Sequence, residues 1–497
     1  MAFAITQNCC NDASCLSVCP VNCIHPTPDE PDFGKTDLLY IDPRSCIDCG
    51  ACADACPVDA ITRVSRLSPE QQVYAELNAD YYRDRPVDME WSAPVFPPAD
   101  IGNVRLRRVA IVGTGPAACY TATALLRQTE ASITFFDRLP VAGGLARYGV
   151  APDHQGTRRI GEHFRSLFTH SRVTMRLGVE VGADITAEQL STQFDAVVYA
   201  VGADQDKVLP LEASGGAAAV SARRLVGWYT GHPDIPADEF DLSGVERVVV
   251  IGNGNVALDA ARILTADVDH LVGTEISVHA LEALRASAIR EVTVLARRGP
   301  EFAAFTRSEC QALVSRTSVP VYIRGSDDLE SVLRELPLSA SASPLAGAPA
   351  ADDAPTADDV ANGGRRIVFA FGQSPVAVRH TGDTRGLDVR DDTGVRTVQA
   401  DLVLQATGYR GSALPGLPFD DESGTVANVD GRVVDADGEH VGGTYVVGWA
   451  KRGARGGIGD NKADAEHTVD LVIADALASA SAAEGRSRRR TWLPRVR

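Results

Sequence analysis

The chain has 497 residues, enough for about three domains at roughly 150 residues each. Its hydrophobic fraction of 44% supports ordinary globular cores, and no run approaches the ~18 consecutive apolar residues of a membrane span. A formal net charge of −18 argues against a nucleic-acid partner. The opening Met1-Ala-Phe-Ala-Ile-Thr-Gln7 has neither a basic nor an apolar leader region, so a cytoplasmic location is expected.

Residues 1–63 form a cysteine block. Nine of the eleven cysteines lie there, and the last four read Cys46-Ile-Asp-Cys49-Gly-Ala-Cys52-Ala-Asp-Ala-Cys56-Pro57. In such a C-x2-C-x2-C-x3-C-P run, three thiolates hold one iron–sulfur cluster and the fourth reaches across to a second. Zinc sites usually show two separated C-x2-C pairs instead. A second half-motif, Cys9, Cys15, Cys19-Pro20 and Cys23, precedes it. The block therefore reads as a two-cluster, one-electron relay. Residues 1–60 carry nine acids against Lys35 and Arg44, a net of −7. That field could steer a basic redox partner or simply confer solubility. Cys119 and Cys310 lie far away and read as buried, inert thiols.

Residues 64–106 hold Pro86, Pro94, Pro97 and Pro98 and read as a linker. Its Tyr81, Tyr82 and Trp91 suggest that it packs on something. Next comes a short apolar strand, Arg108-Val-Ala-Ile-Val112, then Gly113-Thr-Gly115-Pro-Ala117-Ala118 and a helix from Cys119. The following strand, Ser132-Ile-Thr-Phe-Phe136, ends at Asp137, twenty-four residues past Gly113. Strand, glycine turn, helix and a distal acid together make a dinucleotide-binding unit. The unit recurs as Arg247-Val-Val-Val-Ile251, then Gly252-Asn-Gly254-Asn-Val-Ala257, and ends in Arg297-Arg298. Tyr199-Ala-Val-Gly202-Ala203 and Gln405-Ala-Thr-Gly408-Tyr409 mark crossings between the two units. The expected parts are a first half of the FAD domain at 107–245, an NADP domain at 246–335 and a low-complexity surface insertion at 336–366. The second FAD half follows at 367–480, and a basic, disordered tail at 481–497 carries Arg486, Arg488, Arg489, Arg490, Arg495 and Arg497.

Each glycine turn brings backbone and a helix N-terminus up to a pyrophosphate. Asp137 can accept from both ribose hydroxyls and would repel a 2′-phosphate, which suits FAD. Arg297 and Arg298 offer charge-assisted donors to a 2′-phosphate, favouring NADP, unless they are simply solvated at a strand end.

Several segments carry a family likeness. These are Gly113-Thr-Gly-Pro-Ala-Ala118, Gly144-Leu-Ala-Arg-Tyr-Gly-Val-Ala-Pro-Asp-His154, Gly252-Asn-Gly-Asn-Val-Ala-Leu-Asp259, Ala296-Arg-Arg-Gly-Pro300 and Val447-Gly-Trp449-Ala-Lys-Arg-Gly453. With them the chain resembles adrenodoxin-type ferredoxin–NADP reductases, and the whole resembles the bacterial form with a fused N-terminal ferredoxin. The fold implied is an α/β flavoprotein with two dinucleotide domains, the FAD domain interrupted by the NADP domain in a three-layer Rossmann-like plan. A small α+β ferredoxin domain precedes it.

The resemblance implies site residues. Gly113, Gly115, Ala117, Asp137, Leu145, Val181, Trp449, Gly456, Gly457 and Ile458 would contact FAD. Asn253, Gly254, Asn255, Val256, Arg297, Arg298, Glu309 and Gly456 would contact NADP(H). His154 and Asp259 resemble a pair credited with proton handling; from the residues alone they are a loop histidine and an early-helix acid. In the cysteine block the likeness is to seven-iron ferredoxins. Cys19, Cys46, Cys49 and Cys52 would hold a [4Fe–4S] cluster and Cys9, Cys15 and Cys56 a [3Fe–4S] cluster, leaving Cys10 and Cys23 free. The Cys9–Cys15 interval is two residues shorter than in those relatives, and Cys10 is an extra candidate ligand, so a second [4Fe–4S] cluster is the alternative. Where relatives read G-P-T-G-x-I-G-T-N, this chain has Gly453-Ala-Arg455-Gly-Gly-Ile-Gly-Asp460-Asn461. Arg455 and Asp460 could pair with each other or tune the site.

Placed in series, these parts describe an enzyme moving electrons between NADPH and one-electron iron–sulfur carriers. Nicotinamides exchange hydride, clusters exchange single electrons, and a flavin can do both. The outside partner would be a small carrier such as a ferredoxin, in some settings feeding a cytochrome P450 system. The competing reading is an electron-entry subunit of a larger complex, similar to the small subunit of glutamate synthase.

Overall fold

The computed structural model describes residues 2–85, 106–213, 218–316, 319–351, 364–381 and 384–490. The first glycine unit lies in a seven-stranded sheet. Its spatial order is Asn428–Val429, Arg432–Val434, His440–Val446, Ala196–Tyr199, Arg108–Val112, Ser132–Asp137 and Val173–Leu177. The last five are mutually parallel. Arg108–Val112 is central and covered on both faces, which is why it reads as an unbroken apolar run with Val109, Ala110 and Ile111 fully buried.

The second unit lies in an all-parallel six-stranded sheet. The order is Val220–Ser221, Leu402–Gln405, Arg247–Ile251, Glu291–Leu295, Arg366–Ala370 and Val321–Arg324. This moves two expected boundaries. Arg366–Ala370 and Leu402–Gln405 lie in the second sheet, so the return to the first sheet comes at Asn428 and not at residue 367. Val220–Ser221 already belongs to the second sheet, before residue 246. Between the late strands an antiparallel sheet of Ser374–Thr381, Thr384–Asp391 and Gly394–Gln399 packs Val378, Leu387 and Val389 onto Val249, Ile251 and Leu295. The segment expected as a surface insertion is also partly core. Ala342 and Leu345 are fully buried in the second unit, because the small, Ser- and Ala-rich run closes as a short 3-10 turn under Arg307–Arg316. Residues 352–363 of that insertion lie outside the described residues.

The two units repeat one constraint. Gly113 has φ +105°, and a Cβ there would meet the Ala200 carbonyl oxygen at 2.4 Å. Gly252 has φ +114°, and its Cβ would meet the Ala406 carbonyl oxygen at 2.3 Å. Only glycine tolerates both the conformation and the approach. The two crossings then run side by side, Gln205–Asp206 pairing antiparallel with Tyr409–Arg410.

The cysteine block is two small antiparallel ribbons, Phe3–Ile5 with Ile61–Arg63 and Ile24–His25 with Tyr40–Ile41. Residues 64–85, expected to be linker, are part of it. Tyr74, Leu77, Asn78 and Tyr82 recur at helical spacing and form the buried face of Gln72–Tyr81 and its C-terminal end, a pattern hidden among polar residues. Asn78 ties the ribbons together. Its Oδ1 accepts from the Ile5 N–H at 3.1 Å and the Ile41 N–H at 2.8 Å, and its Nδ2 donates to the Ile5 carbonyl at 2.9 Å. Pro86, Trp91, Pro94, Pro97 and Pro98 lie outside the described residues. The tail expected to be disordered from residue 481 is helical as far as Arg490. The helix Asp460–Arg490 runs through an Ala-rich stretch of high helix propensity, and residues 491–497, with Arg495 and Arg497, lie outside the described residues. Among the described residues no helix is long and apolar enough to cross a membrane.

Replacing Asn78 with leucine strands two N–H groups and a carbonyl in the block's interior. Asn78→Leu should destabilise the block by about 3 kcal/mol or more. Hydrogen exchange reads this as lost protection of the Ile5 and Ile41 amides, and unchanged protection would refute it.

Candidate functional site

The first glycine turn converges with segments far away in sequence. The Thr114 hydroxyl donates to Asp137 and accepts the Gly143 N–H at 3.1 Å, while the Leu139 N–H donates to Asp137 Oδ1 at 2.9 Å. Asp137 is thus held at the strand end with acceptor capacity left over. Ala117 is buried against Gly448, and Val181 is buried beside Ile185. Leu145 is exposed. Trp449 donates through Nε1 to the Gly456 carbonyl at 3.2 Å and stacks on Tyr409 with centroids 5.9 Å apart. Asn461 Nδ2 holds the Gly457 and Ile458 carbonyls at 2.9 and 3.0 Å, fixing the Gly456–Ile458 turn. Asp460 accepts from the Gly457 N–H; among the described residues no ion pair joins it to Arg455, which is exposed.

The second turn faces open space at its second glycine. Nothing lies within 4 Å of a Cβ built at Gly254, directly before the helix Asn255–Thr265. That is the cradle a pyrophosphate needs at a helix N-terminus. Asn253, Asn255 and Val256 are half-buried around it. Arg297 and Arg298 project exposed past the end of Glu291–Leu295, with the Arg298 guanidinium 4.8 Å from the centroid of the Phe302 ring.

His154, Asp259 and Glu309 come together. His154 Nε2 is 3.4 Å from Glu309 Oε2 and 3.9 Å from Asp259 Oδ1. The latter is beyond hydrogen-bond range. The tight partner of Asp259 is Arg262 Nη2 at 2.8 Å, and Arg262 also grips Asp153 with two bonds. A charge-assisted bond contributes about 1.5–3 kcal/mol, so Arg262 wins the competition for Asp259. Burial pushes the Glu309 carboxyl above its ordinary range, and His154 offsets this in part. Arg262 and Asp153 escaped the sequence reading, although Asp259 and Arg262 stand at i,i+3 on one helix, a spacing that announces such a pair. Tyr409 reads from the sequence only as part of a crossing.

The cysteines gather in two groups. Cys9, Cys10, Cys15 and Cys56 line one pocket with Ile5, Leu39 and Ile61. Cys23 lies 3.4 Å from Cys19, sulfur to sulfur, and its neighbouring thiol holds Cys19 and Cys46 below the ordinary thiol range. Cys52 is buried beside this group and Cys49 is exposed. Cys10 and Cys23, expected free, therefore stand at the two groups themselves. A soft all-sulfur donor set in an apolar pocket fits iron–sulfur clusters. Backbone N–H groups of Cys23 and Ala60 point at Cys19 and Cys56 sulfurs at 3.4 and 3.3 Å, as cluster ligands commonly require. Cys119 and Cys310 are fully buried, remote thiols.

The cysteine block sits directly on the first glycine unit. One apolar cluster runs from Ile5, Leu39 and Ile61 to Val109, Ile111 and Tyr120, with Ile458 packed against it. The Gly459 N–H donates to the Cys10 carbonyl at 2.8 Å, and Lys462 Nζ donates to Ser14 Oγ at 2.9 Å. Arg159 pairs with Asp59, but both are more than half exposed, so this pair contributes about 0–1 kcal/mol. The buried contact holds the block in place.

Residues 39–62 match the family described as "4Fe-4S binding domain", and residues 107–317 match "Pyridine nucleotide-disulphide oxidoreductase". The probable ferredoxin/ferredoxin–NADP reductase of Mycobacterium tuberculosis is 45% identical over 492 residues, covering 96% of this chain and 84% of that protein. Its counterpart in Mycobacterium leprae is 44% identical over 487 residues, with 96% and 86% covered. Among solved structures, Mycobacterium tuberculosis FprA in complex with NADPH is 37% identical with a TM-score of 0.67, covering 76% of this chain and 87% of that one. With both glycine units, the cysteine block and near full-length identity in agreement, the chain belongs to the ferredoxin/ferredoxin–NADP reductase family.

Proposed function

We propose that this chain is an FAD- and NADPH-dependent oxidoreductase that moves electrons between NADPH and one-electron iron–sulfur carriers, its own fused ferredoxin block serving as the internal relay. The observation that carries the relay is the seating of the Cys9–Cys15 loop on the Gly456–Asn461 segment through the Gly459–Cys10 hydrogen bond. Bound FAD supplies the conversion between a hydride and single electrons, and bound clusters supply single-electron storage. The electron count closes with one hydride from NADPH reducing two one-electron centres and releasing NADP+ and a proton.

The chain's own residues bind and orient. The Gly113–Ala118 turn and Asp137 hold the adenosine end of FAD, with Leu145 and Val181 beside it, and Trp449 and Gly456–Ile458 hold its reacting ring. Asn253–Val256 cradle the nicotinamide nucleotide, Arg297 and Arg298 take its 2′-phosphate, and Gly456 borders the nicotinamide. His154 and Glu309 handle protons at this pocket, while Asp259, neutralised by Arg262, positions rather than transfers. Cys9, Cys15 and Cys56 hold the cluster nearer the reductase body, read as [3Fe–4S], with Cys10 the fourth ligand if it is [4Fe–4S]. Cys19, Cys46, Cys49 and Cys52 hold a [4Fe–4S] cluster. Its exposed Cys49 and the adjacent Ile47, 54% exposed, face outward, where a small iron–sulfur carrier would dock. Such a carrier could serve a cytochrome P450 system. The crowding of thiols, not disulfides, into ligand groups suits a cytoplasmic enzyme.

Removing both arginines tests nucleotide choice. Arg297→Ala with Arg298→Ala should raise the KM for NADPH about a hundredfold and leave NADH unaffected. Equal losses with both nucleotides would refute a 2′-phosphate site. The relay is tested by Gly459→Ala, whose Cβ would fall 1.9 Å from the Cys10 carbonyl oxygen. After anaerobic addition of NADPH, flavin absorbance should bleach while the low-temperature EPR signal of reduced clusters forms about tenfold or more slower than in the parent. Cluster reduction at the parental rate would remove the docked block from the path.

A further inference from the structure

The helix Arg307–Arg316 begins with Thr306-Arg307-Ser308-Glu309, the T-x-x-E signature of a capping box. In that motif the threonine hydroxyl takes the N–H of the glutamate, and the glutamate carboxylate folds back onto the threonine N–H. Half of the box is present. Thr306 Oγ1 accepts the Glu309 N–H at 3.3 Å, and the Thr306 carbonyl accepts the Cys310 N–H at 3.1 Å. The return bond is missing, because other parts of the molecule have taken the donors. Asn255 Oδ1, from the second glycine turn, accepts the Thr306 N–H at 2.8 Å. Asp37 Oδ2, from the ferredoxin block, accepts the Arg307 N–H at 2.6 Å. The ferredoxin block braces the same turn a second time through Tyr74 Oη, which donates to the Ser308 carbonyl at 3.4 Å. With the Thr306 N–H taken by Asn255, the Glu309 carboxylate turns away, and its buried Oε2 stands 3.4 Å from His154 Nε2.

We propose that Asp37 is a positioning residue for the nucleotide pocket: from the fused ferredoxin block it caps the Arg307 N–H at the start of the helix Arg307–Arg316, and so fixes the turn from which the Glu309 carboxylate reaches His154. The block is then a structural part of the hydride-transfer site as well as an electron relay. A carboxylate at a helix N-terminus is favoured both by the orphan N–H groups and by the positive end of the helix dipole. Asparagine preserves the acceptor oxygen and alanine abolishes it, so the two variants separate capping from mere occupancy. The consequence for hydride transfer rests on the proposed placing of Glu309 and His154 at the nicotinamide.

The test compares Asp37→Ala and Asp37→Asn in the full-length chain loaded with FAD and clusters. Asp37→Ala should speed hydrogen exchange of the Arg307 and Glu309 amides about five- to tenfold, the loss expected of one cap. It should also shift the pH profile of flavin bleaching by NADPH in anaerobic stopped flow and slow that bleaching, with the affinity for NADP+ changed less. Asp37→Asn should restore exchange and pH profile together. Parental exchange in Asp37→Ala would overturn the proposal. So would faster exchange with an unmoved pH profile, which would leave Asp37 a purely structural cap. If Asp37→Ala does not load its cofactors, Asp37→Ser takes the same readouts, since its hydroxyl is too short to reach the Arg307 N–H. Glu309→Gln serves as the control. A pH profile unmoved by Glu309→Gln would refute the placing of Glu309 in the pocket, a failure distinct from that of the Asp37 contact.

Discussion

The Gly459 N–H and the Cys10 carbonyl meet at 2.8 Å, and the arrangement of the molecule depends on that close approach. Gly459 closes the segment that carries Gly456–Ile458, and Cys10 sits in the first cysteine group. Nothing larger than a hydrogen fits between them, so two chemically different blocks touch backbone to backbone. The apolar cluster shared by Ile5, Ile61, Ile111 and Tyr120 supplies the attraction. The hydrogen bonds set register. The −7 charge of the first sixty residues plays a smaller part than its size suggests, because Asp32, Asp48 and Asp59 are matched by Arg85, Arg63 and Arg159 from later in the chain.

Beneath this contact lies a repeated device. In both units an alanine carbonyl, at residue 200 or 406, approaches the first glycine so closely that no side chain is tolerated. Backbone geometry is therefore the same at both turns, and ligand choice is left to the residues at the end of each second strand. An acid stands there in one unit and two arginines in the other. Similar folds thus acquire opposite preferences through one or two charges at a strand end.

The cluster around His154 shows charge being allotted by geometry. Arg262 holds Asp153 and Asp259 at bonding distance, which leaves His154 closer to Glu309 than to the acid expected to be its partner. A buried acid without a hydrogen-bonding partner at one oxygen is costly to ionise, which accounts for the raised Glu309 carboxyl.

The sequence by itself determined the chemistry. Cysteine spacing, two glycine turns and the residues after their second strands are local patterns, and local patterns are dictated by backbone sterics and ligand geometry within a few residues. Asn78 and the helix around it stayed hidden because their apolar face is interrupted by a polar residue whose bonds go to strands far away in sequence. The second sheet's late strands, Arg366–Ala370 and Leu402–Gln405, were assigned to the wrong unit because an apolar strand does not state which sheet it will join. Tertiary structure alone decided the neighbours of Glu309: Asp37, Asn255 and His154 come from three separate stretches of chain, and only packing brings them to one helix start. Spacing along a chain encodes what a turn or a helix face can bind, whereas contacts between distant segments depend on which buried surfaces fit.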